Sequence, residues 1–179
     1  MLTFRSIQKS KNSGASSALV AIGGDGVDVE AIKLACQLIS PGKGILHAVY
    51  VIEVGMELPI DAEISSSIAK GEEALTQIES VASDLGFNVN AKLLQSRQTG
   101  SAIVNEAFEK QAEFIVIGTP YTEIFGTFSL GETVLYVLKN AHCKVILWRG
   151  QIPESPSKTS PTNNQPIQNA LTATNERSM

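Results

Sequence analysis

Histidine and cysteine are scarce in this 179-residue chain, two of each, and tryptophan occurs once. Cys36 and Cys143 form no CxxC pair and each sits among apolar neighbours, so they read as buried spectators rather than redox or metal groups. His47, inside an apolar run, and His142, before the last one, have no Cys, Asp or second His at ligand spacing. Structural roles are left for both, and no Ser-His-Asp or Cys-His set can be drawn. No apolar run approaches the roughly 18 residues of a membrane span. Residues 1–17 carry basic side chains without the apolar stretch of a secretory signal, so no membrane is expected and the cytoplasm is the expected location.

Basic charge is also scarce in the body of the chain. The formal net charge is -4, but Arg5, Lys9 and Lys11 stand in residues 1–17 without an acid, and residues 150–179 hold two charges of each sign. Between them lie nine basic and sixteen acidic residues. Such a body has no basic stripe to counter phosphates, which excludes nucleic acid as the expected partner.

What the chain does have is apolar runs alternating with helical periodicity. Residues 1–17 read as a flexible basic arm. Ala18 to Ile22 is a strand ending at Gly23-Gly24-Asp25-Gly26, followed by a helix on Ile32, Ala35, Cys36 and Ile39. Ile45 to Ile52 is the second strand. A long helix fits Asp61 to Leu85, with Ile64, Ile68, Leu75, Ile78, Ala82 and Leu85 on one stripe. Val89 to Gln95 alternates partly, as an edge strand does. Thr99 to Lys110 is a helix expected to bury Ile103, Val104, Ala107 and Phe108. Glu113 to Trp148 then runs strand, glycine-bearing loop, helix from near Ser129, and strand. From residue 150 the composition turns to Pro, Ser, Thr, Asn and Gln and reads as a disordered polar tail. The domain therefore spans residues 18–149. Five strands alternating with four helices predict an α/β fold with a parallel sheet covered on both faces. In such sheets, ligands bind beyond the carboxyl ends of the strands.

The segments ALVAIGGDG, EAIKLACQLI, GILHAV, GEEALTQIESVASDLGFNV, EFIVIGT and LKNAHCKVILW together resemble the universal stress protein family. The resemblance implies a five-stranded sheet of order 3-2-1-4-5 with two helices on each face, an adenine nucleotide alpha hydrolase-like fold. It also implies dimerisation through the last strand and, in many members, ATP held by a G-x2-G-x9-G-(S/T) loop. Gly118 matches the first glycine and Gly131 the last, but Tyr121 stands at the second and Glu132 at the Ser or Thr. The acidic residue that usually follows the first strand is Gly23 here, with Asp25 two residues on as the candidate substitute. If a nucleotide binds, the expected site is Gly118, Gly131, Thr133, Gly23 and Asp25.

The departures have physical weight. Tyr121 is expected to block and stiffen the close backbone approach that glycine allows. Glu132 places negative charge beside the anion site, and Ser129-Leu130-Gly131-Glu132 matches a capping box in which Glu132 would answer the helix's own amides. Tyr121, Phe125 and Phe128 either line an apolar pocket or, as the favoured reading, fold over the vacant site. The Gly23–Gly26 turn is similar to that of NAD and lipid kinases, but those need a longer chain and a Thr at Val27. A tight turn with Asp25 capping the helix is the reading taken. Val145, Ile146, Leu147 and Trp148 form an apolar edge strand that pairing with a second copy would protect. The expectation is a homodimeric regulatory or interaction module, meeting a regulatory protein partner, with no cofactor and no enzymatic activity. The alternative is an ATP or adenine-nucleotide binder with at most slow hydrolysis.

Overall fold

The computed structural model describes residues 14–151. Its elements are β1 (Ser17–Ile22), α1 (Val27–Leu38), β2 (Ile45–Glu53), α2 (Ser65–Asp84), β3 (Val89–Ser96), α3 (Thr99–Glu109), β4 (Phe114–Thr119), β5 (Glu123–Ile124), β6 (Thr127–Phe128), α4 (Gly131–Asn140) and β7 (Lys144–Arg149). Five strands pair in parallel in the order β3-β2-β1-β4-β7, the order the resemblance implied with β7 as the fifth strand. β1 and β4 occupy the middle because both their faces are apolar: every residue of β1 is buried, as are Phe114 to Ile117 of β4.

Alternation along the strands divides the core in two. Ala18, Val20 and Ile22 face α1 and α2, packing on Ile32, Cys36, Leu75 and Ile78. Leu19, Ala21, Ile115 and Ile117 face α3 and α4, packing on Ile103, Ala107, Val134 and Val137. Full burial of each Val, Leu or Ile among these contributes about 1.5–3 kcal/mol. Two helices thus cover each face. β3 is an edge strand, and its alternate residues Asn90 and Lys92 are exposed.

Several expectations change in detail. Residues 14–17 belong to the folded unit: Ala15 bridges to Ile39, and Ser16 donates through its backbone N–H and hydroxyl to Glu113 Oε1 at 2.8 and 2.5 Å. The rest of the expected basic arm and the polar tail from residue 152 lie outside the described residues. The long helix begins at Ser65 rather than Asp61: the residues before it form a turn, in which the Ala62 N–H donates to the Pro59 carbonyl at 3.0 Å and the Ala62 carbonyl accepts from Gln95 Nε2 at 2.6 Å. Leu85 is exposed as well, at the helix's end. Phe108 is 70% exposed rather than buried. It lies in the last turn of α3, where the sheet has run out: Ser17, the first residue of β1, already donates its hydroxyl to the Lys110 carbonyl. Its ring instead meets His142 edge-on, with centroids 5.8 Å apart.

The loop after β4 is not irregular throughout. β5 and β6 form an antiparallel hairpin closed by Phe125 and Gly126, with φ of 51° and 75°. Positive φ at both central residues marks the primed turn that matches strand twist.

Candidate functional site

A cavity of about 280 Å³ lies at the carboxyl ends of β1 and β4, where they lead into α1 and toward α4, and beside the start of α3. Gly23, Gly118, Gly131 and Thr133, four of the five residues expected to touch a nucleotide, line it together with Thr99, Thr119, Leu130 and Glu132. Its size is near the lower end for small-molecule pockets. The fifth residue, Asp25, does not line it. Its Oδ1 accepts from the Val27 N–H at 3.0 Å, and it borders a separate cavity of about 610 Å³ with Tyr50, Lys70 and Glu73. Asp25 therefore steadies the start of α1 through Oδ1, while its Oδ2 stands 3.6 Å from where a Cβ at Gly23, the position of the missing acid, would be.

The glycines have distinct reasons. A Cβ at Gly118 would stand 3.2 Å from the Val27 carbonyl oxygen, so the close packing of β4 under α1 favours glycine whether or not a phosphate is near. Gly131 has φ of 74° with open space around it, the left-handed conformation that side chains resist.

The charge around the cavity follows from three helix starts. After β1, the carboxylate of Asp28 folds back into the turn and accepts from Gly23 N–H at 3.1 Å, Gly24 N–H at 2.7 Å and Asp25 N–H at 3.2 Å. Asp28 is only 3% exposed. Burial raises its pKa above the ordinary Asp value, against the pull of those amides. At the start of α3, Glu53 Oε2 accepts from the Thr99 N–H and hydroxyl at 3.2 and 2.9 Å. In both places a carboxylate of the protein sits where a helix start would otherwise attract an anion.

The start of α4 is different. Leu130 keeps helical angles and no side chain caps it. The Ser129 hydroxyl is 3.3 Å from the Gly131 N–H, and the Ser129 N–H donates to the Thr122 carbonyl. The expected capping box is therefore not formed, and Glu132 lies exposed at the mouth of the cavity without closing it. Left-handed Gly131 moves the start of the helix past Ser129, out of reach of the N3 amide.

Nor do the aromatic rings fold over the site. Tyr121 stacks on Phe128 with centroids 5.3 Å apart, donates its hydroxyl to Glu123 Oε1 at 2.5 Å and lies 5.3 Å under the Arg149 guanidinium. The bond to Glu123, first, raises the Tyr121 pKa. Phe125 is fully exposed at the hairpin tip. None of the three lines the cavity, so Tyr121 stiffens the hairpin rather than blocking the backbone approach.

Among the described residues, no Lys or Arg lines the cavity. Arg97, near the same end of the sheet, uses its guanidinium on the carbonyls of Val54, Gly55 and Leu58. Asp28 and Glu53 are the residues that the sequence reading missed. Each was visible as a carboxylate next to a strand–helix junction, but Glu53 meets Thr99 across 46 residues of chain. The two histidines are apart: His47 is buried under α3 and His142 is exposed at the far end of the sheet. Among the described residues, no three His, Cys, Asp or Glu side chains gather as a metal site.

Comparison with known proteins agrees with this architecture. The profile of the universal stress protein family matches residues 16–149. A universal stress protein of Methanocaldococcus jannaschii is 31% identical over 130 residues, covering 69% of this chain and 76% of the relative. Among solved structures, universal stress protein UspA from Lactobacillus plantarum superposes with a TM-score of 0.62 at 22% identity, covering 76% of this chain and 99% of that one. The universal stress protein from Archaeoglobus fulgidus in complex with dAMP gives a TM-score of 0.60 at 19% identity, covering 74% and 97%. Sheet order, helix placement and the span of the match lead to one conclusion: the chain belongs to the universal stress protein family.

Proposed function

We propose that this chain is a homodimeric regulatory or interaction module, not an enzyme, whose cavity holds no tightly bound triphosphate. The observation that carries the reading is the internal occupation of the turn after β1 by Asp28, whose carboxylate takes the amides a phosphate would need. Glu53 does the same for α3, Glu132 stands at the mouth, and no cationic side chain lines the cavity among the described residues. An incoming triphosphate would meet repulsion at each point and gain no compensating ion pair. Dimerisation is supported by β7, an unpaired edge with half-buried Val145, Ile146 and Leu147 and with Trp148 38% exposed. Leu135 and Leu138 on neighbouring α4 are exposed as well, which extends the apolar strip available to a second copy.

The dAMP complex of the Archaeoglobus relative favours a second reading, adenine-nucleotide binding with at most slow hydrolysis through Gly118, Gly131, Thr133 and the turn after β1. One measurement separates the two. Native mass spectrometry of protein purified without added nucleotide should show the mass of two bare chains. A dimer carrying an adenylate, confirmed by saturable ATP binding tighter than about 100 μM (about -5.5 kcal/mol), would establish the second reading. A monomer at micromolar concentration would remove the dimer.

A further inference from the structure

Under α3, at the start of β2 and β3, the sheet face changes from apolar to polar. His47 is paired with Asn90 in the β2–β3 ladder and Lys92 follows two residues later, so the three side chains share one face. Glu106 on α3 and Lys110, the residue that follows the helix, stand four residues apart and lean over them. Glu106 is 4% exposed and is held by Lys92 Nζ at 2.7 Å and by Lys110 Nζ at 3.7 Å. A cavity of about 170 Å³ opens among these groups, floored by Leu19 and Ala48.

Two independent features point to a ligand. The charges leave a surplus, two ammonium groups against one carboxylate. Each ammonium has three N–H donors, and Glu106 draws a close hydrogen bond only from Lys92. Separately, His47 lines the cavity at 8% exposure, and its Nδ1 is a buried polar atom with no hydrogen-bond partner among the described residues. Buried polar atoms in folded proteins are met by protein, water or ligand, and leaving one unmet is costly. Burial and then Lys110 lower the His47 pKa, with Glu106 opposing, so at neutral pH the ring is a neutral donor and acceptor.

We propose that this cavity is a second ligand site, taking one small oxyanion between Lys92 and Lys110, with a turn of the His47 ring bringing its covered Nδ1 round to the ion. Phosphate, bicarbonate and a short carboxylate share the required chemistry. The volume suits such an ion with a water or two at about 30 Å³ each, and is too small for a nucleotide. The single surplus positive charge matches a singly charged ion. Glu106 keeps the two ammonium groups in place without neutralising both.

The test is NMR of the His47 imidazole nitrogens and the Asn90 side-chain amide during titration with phosphate, bicarbonate or acetate. Ionic strength is held constant with chloride, and exposed His142 serves as the internal control. Saturable movement at His47 and Asn90, with a Kd of roughly 1 mM for at least one ion, is expected, while His142 stays still. Lys110→Gln should weaken binding about ten-fold while leaving the Lys92–Glu106 pair intact. Asn90→Asp, on the exposed rim and away from the core, should do the same by repulsion, and it carries the test if Lys110→Gln does not fold. Linear shifts equal to those in chloride for all three ions, or variants that bind like the wild type, would overturn the proposal.

Discussion

The turns at the starts of α1 and α4 border the same cavity and meet the same electrostatic problem with opposite outcomes. After β1 the amides of Gly23, Gly24 and Asp25 converge on Asp28, and the carboxylate that satisfies them is buried. Before α4, among the described residues, the only side-chain help is the 3.3 Å contact from the Gly131 N–H to Ser129 Oγ, and the acidic residue, Glu132, is exposed to water. The first turn is closed from within and structural. The second is open, and its resistance to anions rests on the charge of one solvated side chain. Anion exclusion built from a buried hydrogen-bonded group should be hard to remove by mutation, whereas exclusion built from surface charge should respond to a single substitution and to salt.

Four outcomes would break or sharpen that contrast. The largest effect is expected from Asp28→Ala, which strands three amides and should lower unfolding stability by about 2 kcal/mol in urea titration. Glu132→Ala should stay within about 0.5 kcal/mol of wild type in the same assay. Equal losses would erase the distinction between the turns.

Replacing Glu132 by Lys should come next, strengthening the binding of ADP at low ionic strength by about five- to tenfold, roughly 1 kcal/mol, as read by displacement of a fluorescent adenylate. No gain would mean that repulsion at α4 is not what limits binding.

A smaller effect concerns pH. The pKa of Asp28 is raised by burial, so between the ordinary Asp value and that raised value the folded state binds more protons than the unfolded one. Stability from this group is therefore fully present below the ordinary value and is lost as pH rises through the raised one. Urea midpoints should accordingly show wild type gaining on Asp28→Asn as the pH falls from 7 toward 4. A gain in the other direction would mean that the amides outweigh burial.

The smallest effect belongs to Ser129→Ala, which should shift stability by less than about 0.5 kcal/mol. A loss of ~1 kcal/mol or more, typical of a true N-cap, would restore the capping box.

The strands and both helix faces were legible because burial on two sides writes continuous apolar runs, as in β1 and β4, while burial on one side writes a stripe, as in α2. The gathering of Gly23, Gly118, Gly131 and Thr133 was legible because the strand order brings the carboxyl ends of β1 and β4 together. What could not be read depends on backbone angles and long-range meetings. An Asp in the first turn of a helix suits the helix dipole anyway, so nothing in its letter shows that Asp28 bends back, which needs Gly24 at φ of 84°. The Ser129 to Glu132 pattern was present but inoperative, because Gly131 adopts the left-handed conformation between its two ends. Phe108 sat on the correct stripe, but periodicity does not say where the sheet beneath a helix stops. The two strands of the β5–β6 hairpin are too short to leave a pattern, and its turn places a phenylalanine where asparagine or glycine is the usual signal.

That hairpin has a practical consequence. Its tip projects from the molecule while all five strands of the main sheet and all four helices lie outside it in the chain. An epitope tag or a fluorophore inserted after Phe125 should therefore leave the core register untouched, and chymotrypsin has a fully exposed aromatic side chain there at which to nick the chain. The protein thus carries its own attachment port, one loop away from the cavity whose occupancy a reporter would need to follow.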